Sequence, residues 1–158
     1  MATLEALLKS PDQSVRLKAA LAAGTYPENQ YIEILIQQCS HEPDFFVRDT
    51  LSWALMRHDR QAVVQRLITE LKSPFPQARS QAVHTLSKIG DKKNYQLITD
   101  ELLFDQDDSV ASTAWRAASV LVPEDEKPEL VRKLVTQLGR GDSDTQFGLT
   151  RFRSEERR

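Results

Sequence analysis

The stretch Pro11-Asp12-Gln13-Ser14-Val15-Arg16 recurs three times along the chain in altered form, as Pro43-Asp44-Phe45-Phe46-Val47-Arg48, Pro74-Phe75-Pro76-Gln77-Ala78-Arg79 and Asp107-Asp108-Ser109-Val110-Ala111. Each copy places turn residues before an aliphatic anchor. The anchors are 32, 31 and 32 residues apart, at Val15, Val47, Ala78 and Val110. A repeat of this length is typical of stacked helical hairpins.

Small or aliphatic residues follow each anchor at positions i+4 and i+8, which is the spacing of the buried face of a helix. They are Ala19 and Ala23, Leu51 and Leu55, Ala82 and Leu86, and Ala114 and Ala118. A turn or helix-start signal then precedes a second apolar stripe in each repeat, at residues 32–36, 64–71, 97–102 and 130–138. Each repeat is therefore predicted to contain two helices.

The sequence predicts an all-α protein, a right-handed α-solenoid of about four helical hairpins with terminal capping helices. Residues 1–152 are expected to form one domain. Its ends would be a short helix from Thr3 to Lys9 and a final helix from Ser143 to Phe152. The charged tail, residues 153–158, has no apolar residue that could dock it and is expected to fray.

The composition argues against several classes of protein. The 158 residues include 21 basic and 23 acidic side chains, so no large field of one sign favours nucleic acid or an anionic membrane. Cys39 is the only cysteine, which excludes an intramolecular disulfide. No apolar stretch has the length of a membrane span, and no targeting segment precedes the repeats, so a cytoplasmic location is expected.

The order of elements in each repeat, a turn with aspartate, Val-Arg, an alanine-rich helix, Gly-Asp and an aliphatic helix, resembles the HEAT-like repeat of the phycobilisome-lyase type. The resemblance covers nearly the whole chain, and such repeats occur in lyases, hydroxylases and adaptors. It implies that the arginine after each anchor meets a turn aspartate of its own or a neighbouring repeat, through Arg16, Arg48, Arg79, Asp12 and Asp44. The fourth repeat has Ala111 instead, so this ladder is expected to stop there.

Three aromatic residues break the repeat pattern. Phe45 and Phe46 occupy positions that are polar or turn-forming in the other repeats, in what is predicted to be an exposed loop. They either fold back over the adjacent hairpin or anchor a partner. Trp53 stands where the other repeats have Leu21, His84 and Arg116, and it is open to the same alternatives, packing between repeats or contact with a partner.

The polar positions of the second helices form another candidate surface, because second helices usually line the concave face of such a stack. These residues are Glu33, Gln37, Gln61, Gln65, Asn94, Gln96, Arg132, Lys133 and Gln137. A surface rich in amides and of mixed charge suits a protein or peptide better than a nucleic-acid duplex. The alternative is a solvated face without a ligand.

Chemical sites are not indicated. Asp105, Asp107 and Asp108 lack the glycine and the distant glutamate of a calcium loop, so helix capping is favoured. Histidines 41, 58 and 84 have neither i, i+4 spacing nor a cysteine pair, which argues against zinc. Cys39 and His41 lie too close along the chain to form a nucleophile and base on one helix face. No catalytic residue, cofactor or metal is predicted.

These observations predict a non-enzymatic scaffold that binds another protein or peptide through the concave face, with Phe45 and Phe46 as a further anchor. It would act as a monomer or as a weak dimer through its terminal helices. Two alternatives stay open: a DNA-binding HEAT-like protein, disfavoured by the balanced charge, and a bilin-lyase-like or metal-handling enzyme. Only one His-Glu pair is present, at His41 and Glu42, too few for a di-iron site.

Overall fold

The computed structural model describes residues 2–140, and these residues form only helices, turns and coil. The α-helices of this range are α1 Leu4–Leu8, α2 Gln13–Thr25, α3 Tyr31–Cys39, α4 Phe45–Met56, α5 Arg60–Glu70, α6 Pro76–Ile89, α7 Asp100–Leu103, α8 Asp108–Leu121 and α9 Lys127–Val135. The all-α prediction is confirmed. The predicted helix 143–152 and the predicted tail 153–158 lie outside the described residues.

The contacts divide the chain into two compact units, one ending at Gln81 and the other beginning at Ala82. In the first unit α2 packs against α4, while α3 packs against α1, α4 and α5. First and second helices of the repeats thus form two layers of a helical stack. In the second unit, α7 and the 3₁₀ helix Lys92–Leu97 pack against α8, and the 3₁₀ helix Glu124–Glu126 packs against α9.

The core of the first unit follows the predicted spacing. Val47 and Leu51 are completely buried on α4, and Ala19 and Ala23 are buried on α2. Small residues on α2 let α4 approach closely. At Gly24, an added Cβ would lie 2.3 Å from an atom of the Trp53 ring, so the two helices meet there without room for a side chain.

The second helix of the third repeat differs from the prediction. In place of one helix, the 3₁₀ helix Lys92–Leu97 is followed by the short helix α7. Ile98 leaves the helical conformation, and Thr99 is extended at the start of α7. Thr99 followed by two acidic residues is a helix-start signal, which explains why the apolar stripe is interrupted there.

One hydrogen-bonded turn precedes every first helix. Its first residue accepts a bond, through a side-chain oxygen, from the backbone N–H two residues later. The pairs, 2.9–3.1 Å long, are Ser10 with Asp12, Glu42 with Asp44, Ser73 with Phe75, and Asp105 with Asp107. The aspartates then cap the following helix, where Asp12 accepts from Ser14 N and Asp44 from Val47 N.

The arginine ladder has different partners from those predicted. Each arginine donates from Nη1 to the backbone carbonyl of the first turn residue, at 2.9 Å in the pairs Arg16 with Ser10, Arg48 with Glu42, and Arg79 with Ser73. For Arg16 the expected hydrogen-bonded pairing with Asp12 or Asp44 is replaced, since those carboxylates cap helices and act on its charge only at longer range. The ion pair of Arg16 is formed instead with Glu42.

The fourth turn receives its arginine from elsewhere in the chain. Ala111, at the position of α8 that corresponds to the arginines, is completely buried and has no side-chain hydrogen-bond donor. Arg140 supplies the missing bond, because its Nη2 donates to the Asp105 carbonyl. Its Nε lies 2.9 Å from Asp108 Oδ1. The equivalent carbonyl of the turn is thus bound in all four repeats.

Glu42 joins the first two repeats through a carboxylate that is completely buried. Its Oε1 accepts from Arg16 Nε at 2.8 Å and Gln38 Nε2 at 3.0 Å, and its Oε2 accepts from Arg16 Nη2 and Asp44 N, both at 3.0 Å. Burial raises the pKa of the Glu42 carboxyl, but these bonds outweigh burial, and the pKa lies below its usual value.

Replacing Glu42 by glutamine is expected to lower the free energy of unfolding by about 3 kcal/mol, because the buried Arg16 charge loses its counter-ion. Urea unfolding at pH 7 measures the loss. Glu33→Gln is the matched control. It removes a carboxylate that also pairs with an arginine but is half exposed, and it should change stability by less than about 1 kcal/mol. Equal losses would contradict the role of Glu42.

The Glu42 contribution should also depend on pH. Since the folded-state pKa is depressed, the stabilisation is complete above the pKa of the unfolded carboxyl. It disappears as the pH falls through the folded-state pKa. The difference between the wild type and Glu42→Gln should therefore shrink in acid, and a difference that stays constant down to pH about 2 would contradict this assignment.

Removing Arg140 should loosen the start of α8. Arg140→Ala deletes a charge-assisted bond to a turn carbonyl, which is expected to lower local stability by about 1–2 kcal/mol. Amide hydrogen exchange in the first turn of α8 should accelerate by roughly tenfold. Arg132→Ala, which truncates a largely exposed arginine on α9, serves as the control and should leave that exchange unchanged.

Candidate functional site

Phe45 and Phe46 are the first two residues of α4, not members of a loop as predicted. Their side chains are 64% and 67% exposed, so neither folds back over the adjacent hairpin. The two rings contact each other edge to face, with centroids 5.7 Å apart and an interplanar angle of 80°. They form a rigid aromatic pair at the end of the first-helix layer.

A third phenylalanine lies at the same edge of the first unit. Gln77 Nε2 donates to the carbonyls of Cys39 and Glu42, both at 2.9 Å, which places the start of α6 beside the turn before α4. Phe75 precedes Gln77 by two residues and is 67% exposed. Phe45, Phe46 and Phe75 are called the aromatic edge below. Exposed aromatic side chains are typical of a binding surface.

Phe75 is not among the predicted site residues, although the repeats contain a signal for it. Phe75 occupies the helix-capping position that holds Asp12, Asp44 and Asp107 in the other repeats. A phenylalanine cannot accept the N–H bonds of a helix start. Phe46 is a similar case, because the equivalent residue of the third repeat is Gln77, which binds two carbonyls. Both phenylalanines replace side chains with a structural role.

Trp53 extends the exposed apolar surface along α4. Phe46, Thr50 and Trp53 are spaced i, i+4 and i+7, which places them on one helix face. The Trp53 ring lies against Gly24 on α2, and its side chain remains 38% exposed. Leu21, one turn before Gly24, is 45% exposed. Trp53 therefore packs between the first two repeats and also borders solvent.

The polar residues predicted for the second helices are partly engaged with one another. Glu33 accepts bonds from the Arg66 guanidinium and, at 2.8 Å, from Gln37 Nε2. Arg66 also lies 2.7 Å from a carboxylate oxygen of Glu70. The Arg66 guanidinium holds the pKa of the Glu33 carboxyl below its usual value. This network joins α3 to α5.

The other predicted polar residues lie apart from this network. Gln61 and Gln65 are exposed on α5. In the second unit the 3₁₀ helix Lys92–Leu97 carries Asn94 and Gln96, and α9 carries Arg132 and Lys133, with Gln137 just beyond it. Lys133 Nζ pairs with Asp100 at 2.8 Å.

The described residues show little that points to chemistry. Residues 2–140 contain no group of three or more His, Cys, Asp or Glu side chains placed to hold a metal ion. Burial raises the pKa of the Cys39 thiol to about 12, so it remains protonated and unreactive at neutral pH. Asp107 accepts from Val110 N, which confirms its predicted capping role. No helix in this range is long and apolar enough to span a bilayer.

Replacing Phe75 by aspartate should stabilise the protein, because aspartate would cap α6 as Asp12 and Asp44 cap their helices. The expected gain in the free energy of unfolding is about 0.5–1 kcal/mol, measured by urea unfolding. Phe75→Ala is the control, since it removes the ring without adding a cap. Equal stabilities of the two variants would show that the gain does not come from capping.

Comparison with known proteins places this geometry in a family. A family model described as HEAT repeats matches residues 32–119, more than half of the chain. No curated protein matches. The structure of the complex of CpcE and CpcF of phycocyanin lyase from Nostoc sp. PCC7120 is similar, with a TM-score of 0.58 and 23% identity over 98% of this chain and 65% of that chain. The chain thus spans just under two thirds of its length.

An engineered protein of known crystal structure is similar as well, with a TM-score of 0.54 and 20% identity over 98% of this chain and 78% of the other. At these identities the two likenesses concern the fold alone. They agree with the layered helical repeats of the first unit and with the match of the family model. The chain belongs to the family of HEAT-repeat proteins.

Proposed function

We propose that this protein is a non-enzymatic interaction module that binds another protein through the aromatic edge. The observation that carries the proposal is the edge-to-face pair Phe45 and Phe46, exposed at the start of α4. Burial of each ring against a partner would contribute about 2 kcal/mol, and aromatic anchors commonly dominate the energy of an interface.

The turn beneath the aromatic pair supports this function through pre-organisation. Asp44 caps the first turn of α4, and Arg48 donates to the carbonyls of Glu42 and Pro43, both at 2.9 Å. The backbone that carries the rings is therefore held on both sides. Little conformational entropy remains to be lost when a partner binds.

The second-helix face is a weaker candidate for the binding surface. Its best-defined charged group, Glu33 with Arg66, already has its partners within the protein. A ligand would have to desolvate or displace these bonds, which reduces the net gain. The exposed rings of Phe45 and Phe46 contact each other, and among residues 2–140 no ion pair has to be broken to reach them. The aromatic edge is therefore a better candidate for partner binding than the polar face of the second helices, which the sequence predicted.

The fold family is compatible with such a role. The similar lyase structure is itself a complex of two proteins, CpcE and CpcF. Assembly with another protein is carried to this chain as a proposal. The lyase activity named for that complex is not carried to this chain.

The test uses a double variant, Phe45→Gln with Phe46→Gln, built from residues that the repeats already place there. Gln13 and Gln77 are the equivalents of Phe45 and Phe46. The variant should keep its melting temperature within a few degrees, because both rings are exposed. Loss of two anchors should weaken binding of the partner by at least tenfold.

Affinity capture from nuclease-treated native lysate, quantified by mass spectrometry, compares the wild type, the double variant and Gln61→Ala with Gln65→Ala. The last variant truncates exposed residues of α5 as a control. A protein retained by the wild type and the control, but lost from the double variant, supports the proposal. Equal retention by all three, or retention of nucleic acid or a chromophore alone, contradicts it.

A further inference from the structure

The side chain of Gln77 connects two successive repeats at the turns that carry the exposed rings. Its Nε2 donates to the carbonyls of Cys39 and Glu42, both at 2.9 Å. An amide nitrogen carries two hydrogens, which is enough for both bonds. Cys39 is the last residue of α3, so its carbonyl has no acceptor role within that helix. The start of α6 is therefore bound both to the end of α3 and to the turn before α4.

The carbonyl of Glu42 is the atom at which the two turns meet. It accepts from Arg48 Nη1 at 2.9 Å as well as from Gln77. Arg48 belongs to α4, whose first two residues are Phe45 and Phe46. A carbonyl oxygen has two lone pairs, and here each helix start uses one of them. The backbone of the aromatic pair and the backbone of the α6 start are thus held through one oxygen.

Phe75 lies two residues before Gln77, in a turn that is itself held by hydrogen bonds. Its backbone N–H donates to Ser73 Oγ at 3.1 Å, and Arg79 donates to the Ser73 carbonyl at 2.9 Å. The Phe75 side chain is exposed, like that of Phe46. Because this turn is held, the bonds of Gln77 help to fix where it lies relative to the turn before α4.

The other repeats show that this connection depends on the residue at position 77. The equivalent side chains are either short or lack a donor: Ser14, Phe46 and Ser109. Arg140 makes the same kind of connection, because it donates to the carbonyl of Asp105, the residue 35 positions before it. Gln77 is likewise 35 positions from Glu42. Both glutamine and arginine can therefore reach the carbonyl of the preceding turn.

We infer that Gln77 is a positioning residue of the aromatic edge, which holds Phe75 in a fixed place relative to Phe45 and Phe46 so that one partner contacts all three rings. The inference rests on the proposed function, and it names the side chain that sets the geometry of the same site. Gln77 acts without touching the partner. In its absence, ordering Phe75 against the other two rings would cost entropy on binding, which lowers the affinity.

A double-mutant cycle tests whether Gln77 acts through Phe75. Capture over a dilution series of nuclease-treated native lysate, quantified by mass spectrometry, gives an apparent affinity for the retained protein. The wild type, Gln77→Ala, Phe75→Ala and the double variant are compared. Phe75→Ala should weaken binding about fivefold and Gln77→Ala about threefold. The double variant should bind no more weakly than Phe75→Ala, because a positioning residue has no effect once the ring is absent.

Further variants separate positioning from a general loss of structure. Gln77→Arg should restore binding, since Arg140 donates to the equivalent carbonyl. Gln65→Ala truncates an exposed glutamine of α5 and should leave binding unchanged. Circular dichroism at the capture temperature confirms folding, and Gln77→Met, which keeps the length but lacks the donors, is used if the alanine variant does not fold. Without any partner, exchange of the Phe75 amide hydrogen should accelerate in Gln77→Ala and slow again in Gln77→Arg.

The outcomes separate this inference from the proposed function. Additive losses in the double variant, wild-type binding by Gln77→Ala, or a folded Gln77→Arg that binds as weakly as Gln77→Ala would overturn the positioning role alone. Unchanged affinity in Phe75→Ala would also overturn it, because Gln77 would then have no ring to position. The proposed function fails, and this inference with it, if the wild type retains no protein or if Phe45→Gln with Phe46→Gln retains as much as the wild type.

Discussion

The bond from an arginine guanidinium to a turn carbonyl is the constraint on which the stack depends. It joins the first turn of each first helix to the chain that enters it, and it recurs with the same length in Arg16, Arg48 and Arg79. A helix start and its preceding turn leave backbone groups without partners, and a charged donor satisfies them more strongly than a neutral one. The first helices of the first three repeats thus begin from turns that are held by the same bond.

Glu42 extends this constraint over three successive repeats. Its carboxylate binds Arg16 of the first repeat, while its carbonyl accepts from Arg48 of the second and Gln77 of the third. A buried charge is unfavourable unless it is paired, and here the donors come from α2, α3 and the turn before α4. Phe45, the first residue of the aromatic edge, lies three residues after Glu42 and is therefore next to this network. The turn that this network holds therefore carries two exposed rings, Phe45 and Phe46.

Much of the fold could be predicted from the sequence, because a 32-residue period with apolar residues at i, i+4 and i+8 has one simple structural solution. The partners of the arginines could not be predicted, since every residue has a backbone carbonyl and the residue type does not indicate which carbonyl is bound. Arg140 was equally hidden, because its place beside Asp105 is set by tertiary structure across 35 residues. The unusual position of Phe75 could have been identified from the sequence. A comparison of the four capping positions would have shown one phenylalanine among three aspartates.

The two layers of the first unit use their surfaces differently. Between the second helices, Glu33 and Arg66 neutralise each other and tie α3 to α5, so this polarity stabilises the stack. On the first helices, Phe46 stands where the third repeat has a carbonyl-binding glutamine, and Arg57 donates to the Gly24 carbonyl. Side chains that give up a structural bond without gaining burial contribute little to folding. In the proposed function these exposed rings would be buried by a partner.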